Sequence, residues 1–97
     1  MIDLAERHLS EVRLILRTRV PGLEVRAFGS RVEGTAQRFS DLDLALVGEE
    51  PLDWRTIEEL KDAFADSDLP FLVDVIDWRA APRSFRESIG EHYERLQ

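Results

Sequence analysis

Cysteine is missing from all 97 residues, which excludes a disulfide scaffold and any thiolate metal site. No apolar run approaches the roughly 18 residues that a spanning helix needs, so no membrane segment is expected. The opening stretch, Met1-Ile2-Asp3-Leu4-Ala5-Glu6, lacks the basic and then apolar layout of a secretion signal. These absences lead to the expectation of a cytoplasmic protein. Basic residues are also scarce, 13 against 20 acids, for a formal charge of −7. A field of that sign repels nucleic-acid backbones and anionic membranes, so neither is an expected direct partner. It suits a basic protein partner or a site that gathers divalent cations, although solubility alone accounts for most of the acids. Hydrophobic residues at 43% and charged residues at 34% describe a globular chain, not a disordered one. The length predicts a single domain, residues 1–97, with one modest core and no second lobe.

The pattern along the chain is legible in segments. Asp3 to about Thr18 reads as a helix with Leu4, Leu9, Val12 and Leu16 near one face. Asp3 and Glu6 form a candidate capping box, and Pro21-Gly22 ends the helix. Leu23 to Phe28 alternates with period two and predicts a strand, followed by Gly29-Ser30 and a short helix over Arg31–Ala36 capped by Ser30. Asp41 to Val47 predicts a second strand, with Leu42, Leu44 and Leu46 on one side and Asp41, Asp43 and Ala45 on the other. Asp53 caps a helix striped by Ile57, Leu60 and Phe64. Phe71 to Asp77 predicts a third strand. After Pro82, Ser84 and Glu87 suit a capping box for a last helix carrying Phe85, Ile89, Tyr93 and Leu96 inward. The order αβ(α)βαβα predicts an α+β, two-layer fold with helices covering a small sheet.

Three acids stand out in that pattern. Asp41 and Asp43 are two apart on a strand and so share a face, about 6.5–7 Å apart at the backbone. Asp74 interrupts an otherwise apolar third strand. An ionised carboxylate inside a sheet costs several kcal/mol unless it is paired or binds a metal, so the trio is a candidate cage for a hard cation. Each acid also has an ordinary reading. Asp41 can cap a strand start, Asp74 can be an edge-strand charge facing water, and Asp77 suits the turn after the third strand. Gly29-Ser30, ten residues before Asp41, lets a backbone approach phosphate oxygens and adds a hydroxyl.

The combined string, Phe28-Gly29-Ser30-Arg31-Val32-Glu33-Gly34 and then Ser40-Asp41-Leu42-Asp43-Leu44, resembles the signature of the DNA polymerase β-like nucleotidyltransferases. That signature is Gly-Ser, ten residues, Asp-x-Asp, and a third acid on a later strand, here Asp74. The resemblance is strongest to the minimal nucleotidyltransferases (MNT proteins), covers Leu23 to Asp77, and implies a mixed sheet with sequential strands. Glu33 and Arg38 depart from the residues common at their places.

That resemblance implies a chemistry and a partner. Asp41 and Asp43 would hold the Mg²⁺ that organises ATP, Asp74 would complete a second metal position near the attacking hydroxyl, and Gly29 and Ser30 would hold the β- and γ-phosphates. Arg31 would help neutralise the phosphates, with an exposed helix arginine as the alternative. MNT proteins pair with HEPN toxins, which implies transfer of AMP from ATP to a toxin tyrosine by the antitoxin of a type VII-like toxin–antitoxin pair, within a hetero-oligomer. The competing implication is an antitoxin or regulatory subunit that acts by binding alone. His8 and His92 suit solvated or interface roles, and Trp54, Trp78 and Phe28 suit core or contact surface.

Overall fold

The computed structural model describes residues 2–97. Its elements run α1 (Glu6–Arg19), β1 (Glu24–Phe28), α2 (Ser30–Glu33), β2 (Leu42–Val47), α3 (Trp54–Ala65), β3 (Val73–Asp77), α4 (Arg83–Ile89) and β4 (Glu94–Arg95). The leucine alternation of β2 decides the architecture. Leu42, Leu44 and Leu46 are fully buried, each stabilising the fold by roughly 1.5–3 kcal/mol. They cluster with Val25 and Ala27 of β1, Val75 of β3, Leu9, Val12 and Leu16 of α1, and Leu60 and Phe64 of α3. Two helices therefore cover one sheet face, the expected two-layer α+β arrangement. The sheet is mixed, in the order β3-β2-β1-β4. β1 runs antiparallel to β2, and β3 runs parallel to it. A parallel neighbour needs a crossover, and α3 supplies it. Among the described residues no helix is long and apolar enough to cross a membrane.

Local signals hold at several ends. The Asp53 carboxylate accepts from the Arg55 N–H at 3.0 Å and caps α3. Pro21-Gly22 follows the end of α1, with Gly22 at φ 77°. Asp77 is buried, and its carboxylate accepts from the Arg79 N–H at 3.1 Å in the turn and from the Leu52 N–H at 2.8 Å.

Other ends differ from expectation. α1 starts at Glu6 with Ala5 at its cap and no side-chain capping bond, so the Asp3/Glu6 box does not form. Asp3 sits too far upstream and its backbone pairs with Arg31 instead. The third strand starts at Val73, because Phe71 turns inward beneath the Arg31 guanidinium. The last helix stops at Ile89, where Gly90 takes a positive φ of 54°. Glu87 accepts from Arg83 at 2.9 Å, and no Ser84/Glu87 box forms. Tyr93 and Leu96 leave the helix, and Glu94–Arg95 add a fourth strand antiparallel to β1. Only the first three strands are sequential in space. Leu96 is still buried, from a strand end and not from a helix face.

The short α2 is one turn, not the expected Arg31–Ala36 segment. Gly29, not Ser30, holds its cap position, and Gly34 closes it in the left-handed conformation. Arg31 leaves that turn for the interior and is 6% exposed. Its Nε donates to the Ser40 carbonyl at 2.9 Å, Nη1 to the Asp3 carbonyl at 2.9 Å, and Nη2 to the Arg38 carbonyl at 3.3 Å. The guanidinium carbon lies 4.5 Å from the centre of the Phe71 ring. One side chain thus ties the N-terminal segment, the loop before β2 and the loop before β3 to the turn after β1. Bonds from a charged donor are worth roughly 1.5–3 kcal/mol, and a leucine here would lose all three. Arg31→Leu should lower the unfolding free energy by at least about 2 kcal/mol. Urea unfolding of the purified variant checks this, and a midpoint equal to wild type would remove Arg31 from the architecture.

Candidate active site

Strand pairing brings the sequence-distant acids together. Asp43 of β2 stands opposite Phe28 of β1 on one side and opposite Asp74 of β3 on the other. Strand side chains alternate, and Leu42, Leu44 and Val75 point to the core. Asp41, Asp43 and Asp74 therefore share the face away from α1 and α3. Phe28 walls this face and meets Phe85 of α4 edge to face, with ring centres 5.8 Å apart.

Gly29 follows Phe28 directly, at φ 81° and ψ −158°. That region of backbone space is essentially restricted to glycine. The glycine also leaves room for a neighbouring side chain. A Cβ at this position would collide with Oδ2 of Asp43 and lie 3.3 Å from its Cγ. The expected reason for the glycine was clearance for a phosphate oxygen. The structure shows a nearer neighbour, because the backbone of the Gly-Ser turn rests against the carboxylate itself. Ser30 is the first residue of α2, directly after the Gly29 cap, and its hydroxyl stands beside that turn.

The electrostatics follow from this crowding. Asp41 and Asp74 are exposed and Asp43 is half-buried, so the acid face is open to water and the charges are not buried within the sheet as expected. The carboxyl pKa of Asp43 is nevertheless raised above its ordinary 3.8, first by burial, then by the neighbouring charges of Asp74 and Asp41. Hard carboxylate oxygens suit a divalent cation such as Mg²⁺. Among the described residues no three acid or histidine side chains form a finished cage. Mg²⁺ usually binds through one or two carboxylates and completes its shell with waters and substrate phosphates. Asp43 and Asp74, facing each other in register, fit that role.

The other expected residues fall elsewhere. Arg31 is buried, not an exposed helix arginine. Its donors are engaged by three backbone carbonyls, which makes it a clamp for the loop that delivers Asp41. A basic residue wedged between the Gly-Ser pair and the acids was the only sequence signal for it. His8 packs edge-on against Phe71 at 5.8 Å, and His92 lines a hollow with Val32, Glu33 and Tyr93. Trp54 is 67% exposed and belongs to no core. Trp78 is half-buried, with the Arg26 guanidinium 5.2 Å from its ring centre.

With that geometry in place, residues 11–96 match the family described as Polymerase beta, Nucleotidyltransferase. The chain belongs to this nucleotidyltransferase family. Within it, the chain is 47% identical to the probable protein adenylyltransferase MntA of Haemophilus influenzae, across 99% of this chain and 84% of that protein. It is also similar to a crystallised toxin–antitoxin with AMP-PNP, at 30% identity and TM-score 0.65, covering 92% of this chain and 72% of that one. A third likeness is to a tri-AMPylated Shewanella oneidensis HEPN toxin in complex with MNT antitoxin, at 25% identity and TM-score 0.61, covering 95% of this chain and 71% of that one.

Two predictions follow from the acid face of this nucleotidyltransferase. Gly29→Val should fold, at a strain of about 1–3 kcal/mol, yet reduce nucleotidyl transfer at least about 100-fold by displacing Asp43. Transfer assays on the soluble variant check it, and full activity would detach the Gly-Ser turn from the site. The second concerns pH. A raised carboxyl pKa adds stability below the ordinary 3.8, and that contribution is lost as pH rises through the folded value. In chelator, the melting temperature of wild type should therefore fall relative to Asp43→Asn as pH climbs from about 4 to 8. Mg²⁺ should restore wild type alone, by about 2.7 kcal/mol at 100 times Kd. Identical profiles for the two proteins would show that Asp43 carries no such charge conflict.

Proposed function

We propose that this chain is a Mg²⁺-dependent adenylyltransferase antitoxin that moves AMP from ATP onto a tyrosine hydroxyl of a cognate HEPN toxin. Residues 1–97 would act as one nucleotidyltransferase domain within a hetero-oligomer, in the cytoplasm where ATP is abundant. The observation that carries the reading is the register of Asp43 with Asp74 beside the Gly29-Ser30 turn. The similar proteins named above support the acceptor and the nucleotide, since one is an adenylyltransferase, one structure contains AMP-PNP, and one contains an AMPylated HEPN toxin.

The reaction is an in-line displacement. The tyrosine oxygen bonds to the α-phosphorus of ATP, the bond from that phosphorus to the bridging oxygen breaks, and pyrophosphate leaves. The hydroxyl proton passes to a base on the Asp74 side of the site. Nucleotidyl transfer asks a protein for positioning and charge neutralisation more than for covalent chemistry, which suits a chain without cysteine. Asp41 and Asp43 would hold the Mg²⁺ that binds the nucleotide phosphates, and Asp74 would complete a second position. When bound, such ions neutralise charge on the attacking and leaving oxygens. Gly29 and Ser30 would hold the β- and γ-phosphates through backbone N–H groups and the hydroxyl. Arg31 would keep the loop before Asp41 in register. The added AMP brings a negative phosphodiester and a bulky adenosine to a toxin site that must admit RNA, so inactivation has an electrostatic and a steric cause.

Co-expression with a cognate HEPN toxin, followed by intact-mass measurement, tests the proposal. Wild type should add increments of AMP and permit growth. Asp43→Asn and Asp74→Asn should do neither, with transfer reduced at least about 100-fold. Rescue of growth by both variants, with no mass added to the toxin, would establish neutralisation by binding alone.

A further inference from the structure

The acid face is bordered by side chains that the transfer chemistry does not use. Phe39 is 65% exposed and Leu72 is 74% exposed, two of the largest apolar exposures in the molecule. They flank Asp41. Phe39 precedes it by two residues, and the Leu42 N–H donates to the Leu72 carbonyl at 2.9 Å, which sets Leu72 across from the start of β2. Phe39, Asp41, Leu69, Pro70, Phe71 and Leu72 line a shallow groove of about 390 Å³.

The backbone beneath Phe39 is held on both sides. Arg31 binds the carbonyls of Arg38 and Ser40, the residues immediately before and after it. The aromatic ring is thus displayed to solvent from a fixed loop, with the Arg38 guanidinium carbon 5.2 Å from its centre. A solvent-facing aromatic on a fixed backbone loses little entropy on binding, which is the usual character of an interface anchor. Contiguous exposed apolar groups rimmed by charge mark contact sites.

We infer that Phe39 and Leu72 form the docking platform for the acceptor protein, gripping the apolar residues that flank its modified tyrosine. The inference rests on the proposed transfer to a protein, and adds to it where that protein binds. Three features choose a protein segment as the occupant. The platform is continuous with Asp41, so a segment seated there delivers its hydroxyl to the acids. Apart from that carboxylate, the side chains lining the groove are apolar, which suits aliphatic and aromatic side chains. Arg38 is an exposed cation on a chain of net charge −7, and it marks where an acidic residue of the acceptor would sit.

The test uses full-length wild type, the double variant Phe39→Ala/Leu72→Ala, and Trp54→Ala as an exposed aromatic on α3. The partner is the cognate HEPN toxin of the proposed reaction. The double variant should weaken the complex at least about tenfold by calorimetry and raise KM for the HEPN protein correspondingly. Its affinity for ATP with Mg²⁺ and its melting temperature should stay at wild-type values, and Trp54→Ala should bind the HEPN protein as wild type does. Unchanged affinity of the double variant for the HEPN protein would overturn the platform. A matching loss of ATP affinity would reassign Phe39 to the nucleotide base. Wild type that binds the HEPN protein through this platform but transfers no AMP would sink the adenylylation reading and leave the platform standing.

Discussion

Asp43 is held where its own charge is unwelcome. Strand pairing sets it opposite Asp74, the preceding turn leaves Asp41 close by, and the Gly29 backbone closes off one side of its carboxylate. Like charges this near destabilise a fold, and the hydrophobic layer beneath must offset them. That layer is well suited to the task, because Leu42 and Leu44, on either side of Asp43 in sequence, are fully buried. The same three consecutive residues therefore anchor the strand and aim the charge outward. In the proposed reaction, a cation carrying nucleotide phosphates would convert the repulsion into attraction.

The rest of the molecule reads as support for that placement. α3 is the crossover that makes β3 parallel to β2, which fixes the Asp43–Asp74 register. Asp77 ties the end of β3 to Leu52, on the connection leading into α3. Arg31 fastens the loop before β2 from beneath. At the other edge of the sheet, β4 pairs with β1, the strand that leads into the Gly-Ser turn. Each of these contacts lies outside the acid face, yet each limits how far an acid on it can drift.

Much of this was legible in the residues. Period-two alternation in Leu42, Leu44 and Leu46 identified β2 and its buried side, because one pleated face must be apolar to pack against helices. Asp53 announced α3, since its cap bond is local and needs only the next two residues. The parts that were not legible depend on distant partners. Asp3 looked like a cap but serves Arg31, 28 residues away in sequence. Ser84 and Glu87 looked like a capping box, but Arg83 sits one turn before Glu87 and takes its carboxylate. Tyr93 and Leu96 continued a helical stripe beyond Gly90, whose positive φ ends the helix. The burial inferred for the acids was too deep, because sequence alternation tells which side a residue faces and not whether anything covers that side.

β3 lies at an outer edge of the sheet, and its stretch Phe71-Leu72-Val73-Asp74-Val75-Ile76 carries a single charge. A run of that composition on an open edge is the kind of segment that adds strands from other molecules and seeds aggregation. Asp74 interrupts it and faces water, so the acid also acts as a gatekeeper of solubility. On the proposed reading the position is constrained twice over: an apolar replacement would remove a site acid and expose a sticky edge, whereas a polar one would remove the acid alone. Selection for solubility would thus preserve a polar residue at this position even in a descendant that had stopped transferring nucleotides.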